Sequence, residues 1–427
     1  MSLKIPFQGV DRPIIWLRLT LLSALFLGLL ASAPLWTNSH SFPLLPIGWW
    51  FPILSSPWDK SLFVWMLLSL VIALWFYRAA VSLFLAASLF CFFEDQNRGQ
   101  PWFYMYWVML LLSLLPDSIT LAACRVALSV AYIWSGIQKF NFRFFQVTPA
   151  WFVAPAERWH LPVTIIEMLR WTVATTPVIE LAIGLALWVP KARKIAIGAA
   201  VALHLCALLF LGPLGYNYNW VVWPWNLAMI ALVWALFRVP NSLGIGIEAQ
   251  PSTPKRSNGS KRESSKARET SAGQPKSKLK QTFIELRRST FAMIVLVAYS
   301  LLPILSYWGK WDSYFSFSLY SENAAVANIF ISQAFGERLP SHLHAYVQRF
   351  PQAYDPQHQG PFTFGFQAWA YEELHVPPIS ELRNFRSVFR FLRSYSKEPG
   401  DLRMIVGQRS GPVIFFQGES QEFLVPK

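Results

Sequence analysis

Few ionisable side chains interrupt the apolar runs of this chain, and those few are where chemistry is first sought: Arg125, Lys139, Glu167, Arg170, Glu180 and His204. A charge set in hydrocarbon is costly and tends to face a cavity or an opposite charge, so each of these marks a candidate site. Lys139 closes the helical part of the run AYIWSGIQKFNFRFF. One reading makes it an interfacial anchor whose ammonium reaches the headgroups. The other gives it a catalytic task. The segment from Asn141 to Pro162 is aromatic, broken by Pro149, Pro155 and Pro162, and too irregular to span a bilayer; it reads as a re-entrant or surface-lying hairpin, and irregular backbone at that depth lines a cavity. A lysine at such a rim loses water, and desolvation moves an ammonium towards the range of a general base. Glu180 follows Pro177 in TTPVIELAIGLALW, where the proline's missing N–H loosens the helix beside a carboxylate. His204 stands in ALHLCALLFLG, either as a satisfied bundle residue or as a supporting acid–base group.

Candidate ligand contacts surround these three. Trp134 and Gly136 share the run with Lys139, Gly136 allowing close approach of a helix or a ligand. His160 ends the proline-broken segment, and Asn217, Asn219 and Asn226, interleaved with Trp220, Trp223 and Trp225, form a polar and aromatic rim. Aromatic walls with few polar groups suit a flat, lipid-soluble ligand such as a quinone or quinol. No HxxxH or HExxH spacing occurs, so no metal site is expected. There is no P-loop, GxSxG or dinucleotide fingerprint. Cys91, Cys124 and Cys206 lie in apolar runs without CxxC spacing and read as small core hydrophobes.

The elements that must hold these groups read as membrane helices. Of the 427 residues 54% are hydrophobic and 14% charged, which is too apolar for a soluble domain of that length. Twenty-one Trp and 14 Tyr fit interfacial belts. Apolar runs near the roughly 20 residues that cross a bilayer fall at Ile14–Trp36, Leu62–Tyr77, Ala79–Phe93, Trp102–Leu115, Leu121–Lys139, Thr164–Val189, Ala196–Leu211, Trp220–Phe237 and Phe291–Tyr307. With the N-terminus inside, Arg78, the Lys191/Arg193/Lys194 cluster and the segment after Arg238 share the cytoplasmic side. The expected architecture is an all-α polytopic bundle of about eight or nine transmembrane helices with a small α+β extracytoplasmic C-terminal domain. Its divisions are a bundle over 1–240, a basic disordered cytoplasmic linker over 241–288, a last membrane helix over 289–308 and the tail domain over 309–427. The linker, rich in Ser, Lys and Arg, cannot bury enough apolar surface to fold alone. In the tail, ELRNFRSVFRFLRSY has helical spacing, and LRMIV and PVIFF flank a hairpin turn. The net charge of +14 is unevenly spread, which makes nucleic acid a poor first expectation; the basic linker reads as a cytoplasmic loop that marks topology or, alternatively, as a polybasic patch lying on anionic lipid.

The run Y-I-W-S-G-I-Q-K-F-N at residues 132–141 resembles the signature of the horizontally transferred transmembrane domain, best known from vitamin K-dependent gamma-glutamyl carboxylase. The likeness covers about 120–240 and extends to Glu180, before a Gly-x-x-Leu-like helix end, and to His204 in the next helix; bundles of the DoxX and MauE type are related. The resemblance implies that Lys139 is the base that deprotonates a quinol at the outer face, with quinol-dependent carboxylase or epoxidase-like chemistry. Two departures are visible. His204 is followed by Leu205-Cys206-Ala207 without the asparagine that the family carries there, and residues 309–427 show no match to the carboxylase's large lumenal portion. The expectations are therefore an integral protein of a bacterial inner membrane, with its N-terminus cytoplasmic and its tail periplasmic. It binds a quinol-like ligand through Lys139, Glu180 and His204, or else it is a non-enzymatic subunit or maturation factor docking a periplasmic or membrane partner through 309–427. A transporter is the weaker alternative, since paired broken helices in matching halves are not visible.

Overall fold

The computed structural model describes residues 12–238, 278–349, 362–398, 400–409, 413–417 and 421–425. Residues 239–277, most of the basic linker, lie outside the described part.

The bundle begins with α1 (Arg12–Ala31) and the single turn α2 (Ala33–Trp36), then α3 (Trp58–Ile72), α4 (Tyr77–Glu94) and α5 (Pro101–Leu112). There follow α6 (Asp117–Gln138), α7 (Phe142–Val153), α8 (Val163–Ala174), α9 (Thr176–Ala186), α10 (Arg193–Leu211) and α11 (Val222–Val233). After the linker come α12 (Lys278–Leu286) and α13 (Thr290–Leu301), which tightens into a 3-10 helix to Trp308. Among the described residues, five helical stretches are long and apolar enough to cross a membrane: α1, α4, α6, α10 and Thr290–Trp308. Their outward faces carry large apolar side chains such as Leu205, Ile294 and Leu301, surface that lipid solvates more favourably than water.

Four of the nine expected spans depart from expectation. Leu62–Tyr77 and Trp102–Leu115 correspond to α3 and α5, of 15 and 12 residues, and Trp220–Phe237 to α11 with a π-helical turn at Trp234–Arg238. Thr164–Val189 is two helices, because Pro177 in the first turn of α9 leaves no N–H to continue α8. A 12-residue helix rises about 18 Å, short of the ~30 Å hydrocarbon layer. The segment Asn141–Pro162 is also more regular than expected. It forms α7, with Asn141 capping the N–H of Phe144 and Pro149 inside the helix, then a 3-10 turn that ends at His160 in the left-handed region (φ 52°). The disordered linker expected to 288 ends sooner, since α12 is helical from Lys278 and buries Leu286, its Glu285 accepting from the Ser118 hydroxyl of α6.

The most enclosed long helix is α6: 72% of its spanning window is buried, against 28% for α10 and for Thr290–Trp308, so α6 is the post on which the site is built. Two glycines set its approach to α9. A Cβ on Gly136 would lie 2.6 Å from the Pro177 carbonyl oxygen, and one on Gly184 would lie 2.9 Å from the Ser129 carbonyl oxygen, so the two backbones meet where a side chain would hold them apart.

The tail adds β1 (Val326–Ile331), α14 (Gln333–Arg338), β2 (Val347–Arg349), β3 (Phe362–Phe364), α15 (Phe366–Leu374), α16 (Leu382–Arg393), β4 (Leu402–Gly407), β5 (Val413–Gln417) and β6 (Gln421–Val425). Its antiparallel sheet runs β2-β3-β1-β4-β5-β6, with Ile331 opposite Leu402. The expected helix is α16, which buries Phe385, Val388, Phe389 and Leu392, and the expected hairpin is β4–β5. The tail is seated on the bundle through buried polar contacts. Gln100 Nε2 donates to the Pro377 carbonyl (3.0 Å), and Glu373 accepts from the N–H groups of Ser41 and Phe42. Beneath it Arg98, fully buried, donates to Glu94 (2.6 Å) and to the Leu35 and Cys91 carbonyls, so the turn between α4 and α5 is a buried charge network.

Candidate functional site

Lys139 caps the C-terminal end of α6 and is only 8% exposed. Its ammonium has three N–H donors, and Nζ reaches Glu180 Oε2 at 2.7 Å, the Ser135 hydroxyl at 2.8 Å and the Ser135 carbonyl at 3.1 Å. Glu180 is buried in the first turns of α9, and the close α6–α9 contact at Gly136 and Gly184 brings it within reach. The resting lysine is thus one half of a buried ion pair rather than an isolated desolvated amine.

A second hydrogen-bonded chain crosses neighbouring helices. Asn226 of α11 donates from Nδ2 to the Val222 carbonyl (2.7 Å), which turns its Oδ1 towards His204 Nδ1 on α10 (2.7 Å). Because a carboxamide oxygen only accepts, His204 carries its proton on Nδ1, and its Nε2 accepts from the Tyr132 hydroxyl at 2.6 Å. Tyr132 belongs to α6, so the two chains share one helix.

Both chains border the same cavity, of about 420 Å³, enclosed by α5–α11 and by Phe317, Leu319 and Tyr320 from the start of the tail. Lys139, Glu180 and His204 all line it, and so do Tyr132, Ser135 and Asn226. Elsewhere its wall is mainly apolar: Met105, Phe152, Leu169, Phe210 and Met229. Such a site presents one polar corner, with an ion pair and a neutral Tyr–His–Asn chain, to a ligand otherwise held by apolar contact. It can take a proton from a hydroxyl and stabilise the resulting oxyanion.

Of the expected aromatic rim Trp225 lines the cavity, whereas the other expected contacts lie off it. Trp134 points to α13 and donates to the Ser300 carbonyl (2.9 Å), and Gly136 serves the α6–α9 approach. His160 and Asn217 are exposed, each with left-handed backbone, and Trp223 is 38% exposed. Asn219 acts at one remove, donating to the hydroxyl of Tyr320 (2.8 Å), a residue that does line the cavity and stacks on Trp151. Cys206 is exposed and lines the cavity, unlike the buried Cys91 and Cys124. Tyr132 and Ser135 were within reach of sequence reasoning: with Lys139 they recur at i, i+3 and i+7, one face of α6, whereas Trp134 falls on another face. The side-chain partner of His204 Nδ1 is Asn226, from the next helix, 22 residues further along the chain. Among the described residues no group of His, Cys, Asp and Glu could hold a metal ion.

Comparison with protein-family models, with curated proteins and with solved structures gives no match.

Proposed function

We propose that this chain is an integral membrane protein related to the horizontally transferred transmembrane domain of vitamin K-dependent carboxylases, and that its cavity binds a quinol-like ligand and deprotonates it. The observation that carries this reading is the meeting of Lys139, Glu180 and His204, from three helices, on one apolar-walled cavity. Its volume falls within the ~300–1,000 Å³ of small-molecule sites. Lys139 is the base. As the ligand hydroxyl enters the ion pair, Glu180 takes a proton from the ammonium and the resulting amine takes one from the hydroxyl. The oxyanion then faces a re-formed ammonium, and the net proton rests on Glu180. The Tyr132–His204–Asn226 chain holds a second oxygen of the ligand.

Topology supports placing this corner at the extracytoplasmic side. Eight crossings before the linker and one after it, with the N-terminus cytoplasmic, keep the basic residues Arg78, Lys191, Lys194 and Arg238 inside and put the end of α6 and the tail outside. The shorter helices α3, α5 and α11 and the α8–α9 pair complete the count. The test uses purified protein in air-equilibrated lipid nanodiscs, with binding of a benzoquinol and its two-electron oxidation by dissolved dioxygen, for which the deprotonated quinol is the reactive form, followed optically. Lys139→Ala and Glu180→Gln each reduce turnover at least a hundredfold. Turnover within threefold of wild type in Lys139→Ala removes the proposed base.

A further inference from the structure

The end of α6 that carries Lys139 is roofed by Phe317, Leu319 and Tyr320. Its other end, at Ser118, lies about 31 Å away along the helix axis and borders a second cavity, of about 260 Å³, between α6 and α12 with the turn that follows it. Much of this lining is polar: Ser118, Arg125, Gln281, Thr282, Glu285 and Arg288. Arg125 is 5% exposed, and its Nε donates to the Leu236 carbonyl (2.8 Å), which sets the plane of the guanidinium at the wall. Glu285 accepts from Arg288 Nη1 (2.9 Å) and from the Ser118 hydroxyl (2.9 Å). Two arginines against one carboxylate leave the lining one positive charge in excess. Thr282 is 3% exposed, and among the described residues its hydroxyl has no hydrogen-bond partner. A hydroxyl buried that deeply is rarely left unpaired. Thr282 and Leu286, one turn apart, are the buried positions of α12, whereas Leu279, Phe283 and Ile284 are exposed beside the basic Lys280 and Arg287. An amphipathic basic helix with apolar side chains turned outward, packed on a membrane-crossing helix, has the make-up of one that lies in the bilayer interface.

We propose that the cavity between α6 and α12 is a phosphate-binding site, filled by the headgroup of an anionic lipid from the membrane face opposite the Lys139 corner. The phosphate oxygens accept from Arg125, from Arg288 and from the Thr282 hydroxyl, and the acyl chains run beside Phe283 and Ile284. Guanidinium groups recognise phosphate through paired N–H···O bonds, and basic pockets between membrane helices are recurrent seats for lipid phosphates. A cation is repelled by the excess positive charge, and an apolar ligand leaves the Thr282 hydroxyl unpaired. The bilayer is the source because α12 sets exposed apolar side chains next to the polar lining, so that one amphiphile meets both. The bound lipid ties α12 to α6 and thereby fixes the start of α13, which Ser289 caps three residues after Leu286. The site lies apart from the Lys139 cavity and does not depend on what that cavity binds.

The test titrates the full-length protein, in a non-ionic detergent at constant ionic strength, with dioleoylphosphatidylglycerol, with dioleoylglycerol, which lacks the phosphate, and with inorganic phosphate. Bound molecules are counted by native mass spectrometry. Phosphatidylglycerol is expected to fill one saturable site about tenfold or more tightly than dioleoylglycerol does. Thr282→Val keeps the shape and removes the hydroxyl, and Arg125→Gln removes a charge; each should weaken that site about tenfold. Glu285→Gln removes the opposing charge and should tighten it about threefold. Lipid held elsewhere on the bundle or by the linker is indifferent to these substitutions. If inorganic phosphate displaces the lipid and shows the same response to the variants, the site stands with a soluble phosphate as its occupant; if it does not compete, the lipid headgroup is the occupant. Phosphatidylglycerol binding within about twofold of wild type in both Thr282→Val and Arg125→Gln overturns the phosphate site. Where Arg125→Gln does not fold, Thr282→Val and Glu285→Gln decide, and binding that is unchanged in the first or weakened in the second refutes the proposal.

Discussion

Removing one partner of the Lys139–Glu180 pair should cost far more than removing both. The two charges are 2.7 Å apart with side-chain exposures of 10% and 11%. At an effective dielectric constant of ~20 their Coulomb attraction is about 6 kcal/mol before desolvation is subtracted. Stranding one partner of a buried pair costs roughly 3–5 kcal/mol, while exchanging both for apolar residues of similar volume is close to neutral. Lys139→Met and Glu180→Leu should therefore each destabilise the bundle by about 3 kcal/mol and the double variant by less than either, a coupling of at least ~2 kcal/mol. The assay is reversible unfolding of the four proteins in mixed micelles, analysed as a double-mutant cycle. Interhelical hydrogen bonds in membrane proteins average only about 0.6 kcal/mol. A coupling at that level would mean that water reaches the pair and that the corner is not a dry, preorganised site. The double variant also separates fold from function, because it should regain stability while failing to bind a quinol.

Other expectations follow from single contacts. Gly136→Ala places a methyl 2.6 Å from the Pro177 carbonyl oxygen; it should cost about 1–3 kcal/mol by overpacking and weaken ligand binding by moving Glu180, both measurable against wild type in the same micelles. Tyr132→Phe leaves the buried His204 Nε2 without its donor, a loss of about 1–3 kcal/mol in unfolding free energy, with the His204 ring signal changing in nitrogen NMR. In the tail, burial and then the neighbouring Asp312 push the Glu381 carboxyl up to about 7. A carboxyl raised above its unfolded value of ~4.3 favours the fold fully below that value and loses the contribution as pH rises through 7. Thermal unfolding of the tail should accordingly weaken between pH 4.5 and 7.5, by at most about 3 kcal/mol, and Glu381→Gln should flatten the slope.

How much could be read from the sequence depended on whether a signal was local. A charge inside an apolar run stands out, and of the six so marked Lys139, Glu180 and His204 line one cavity while Arg125, Glu167 and Arg170 do not. The spacing in α16 and the paired apolar runs of β4 and β5 are equally local, and the helix and the strand pairing formed where expected. What was hidden required partners distant in sequence. Asn226 meets His204 from another helix, Phe317 and Tyr320 reach the cavity from beyond the last span, and β1 pairs with β4 across most of the tail. Aromatic rims misled for the same reason: Trp134 and Trp223 look like ligand walls in a linear reading, yet helical phase turns Trp134 towards α13 and leaves Trp223 off the cavity. The break at Pro177 was legible as a loosening, but that the Pro177 carbonyl meets the backbone of α6 at Gly136 was not.

The roof of the cavity has a consequence for how the protein is made. Residues of the bundle that line the site, from Pro101 to Met229, leave the ribosome long before Phe317, Leu319 and Tyr320. Between those moments the Lys139 corner lacks its cover, and chains generally fold from the N-terminus forward at about 5–20 residues per second. The site is therefore assembled in two instalments. A cavity corner that excludes water is complete only when the tail has been delivered and seated.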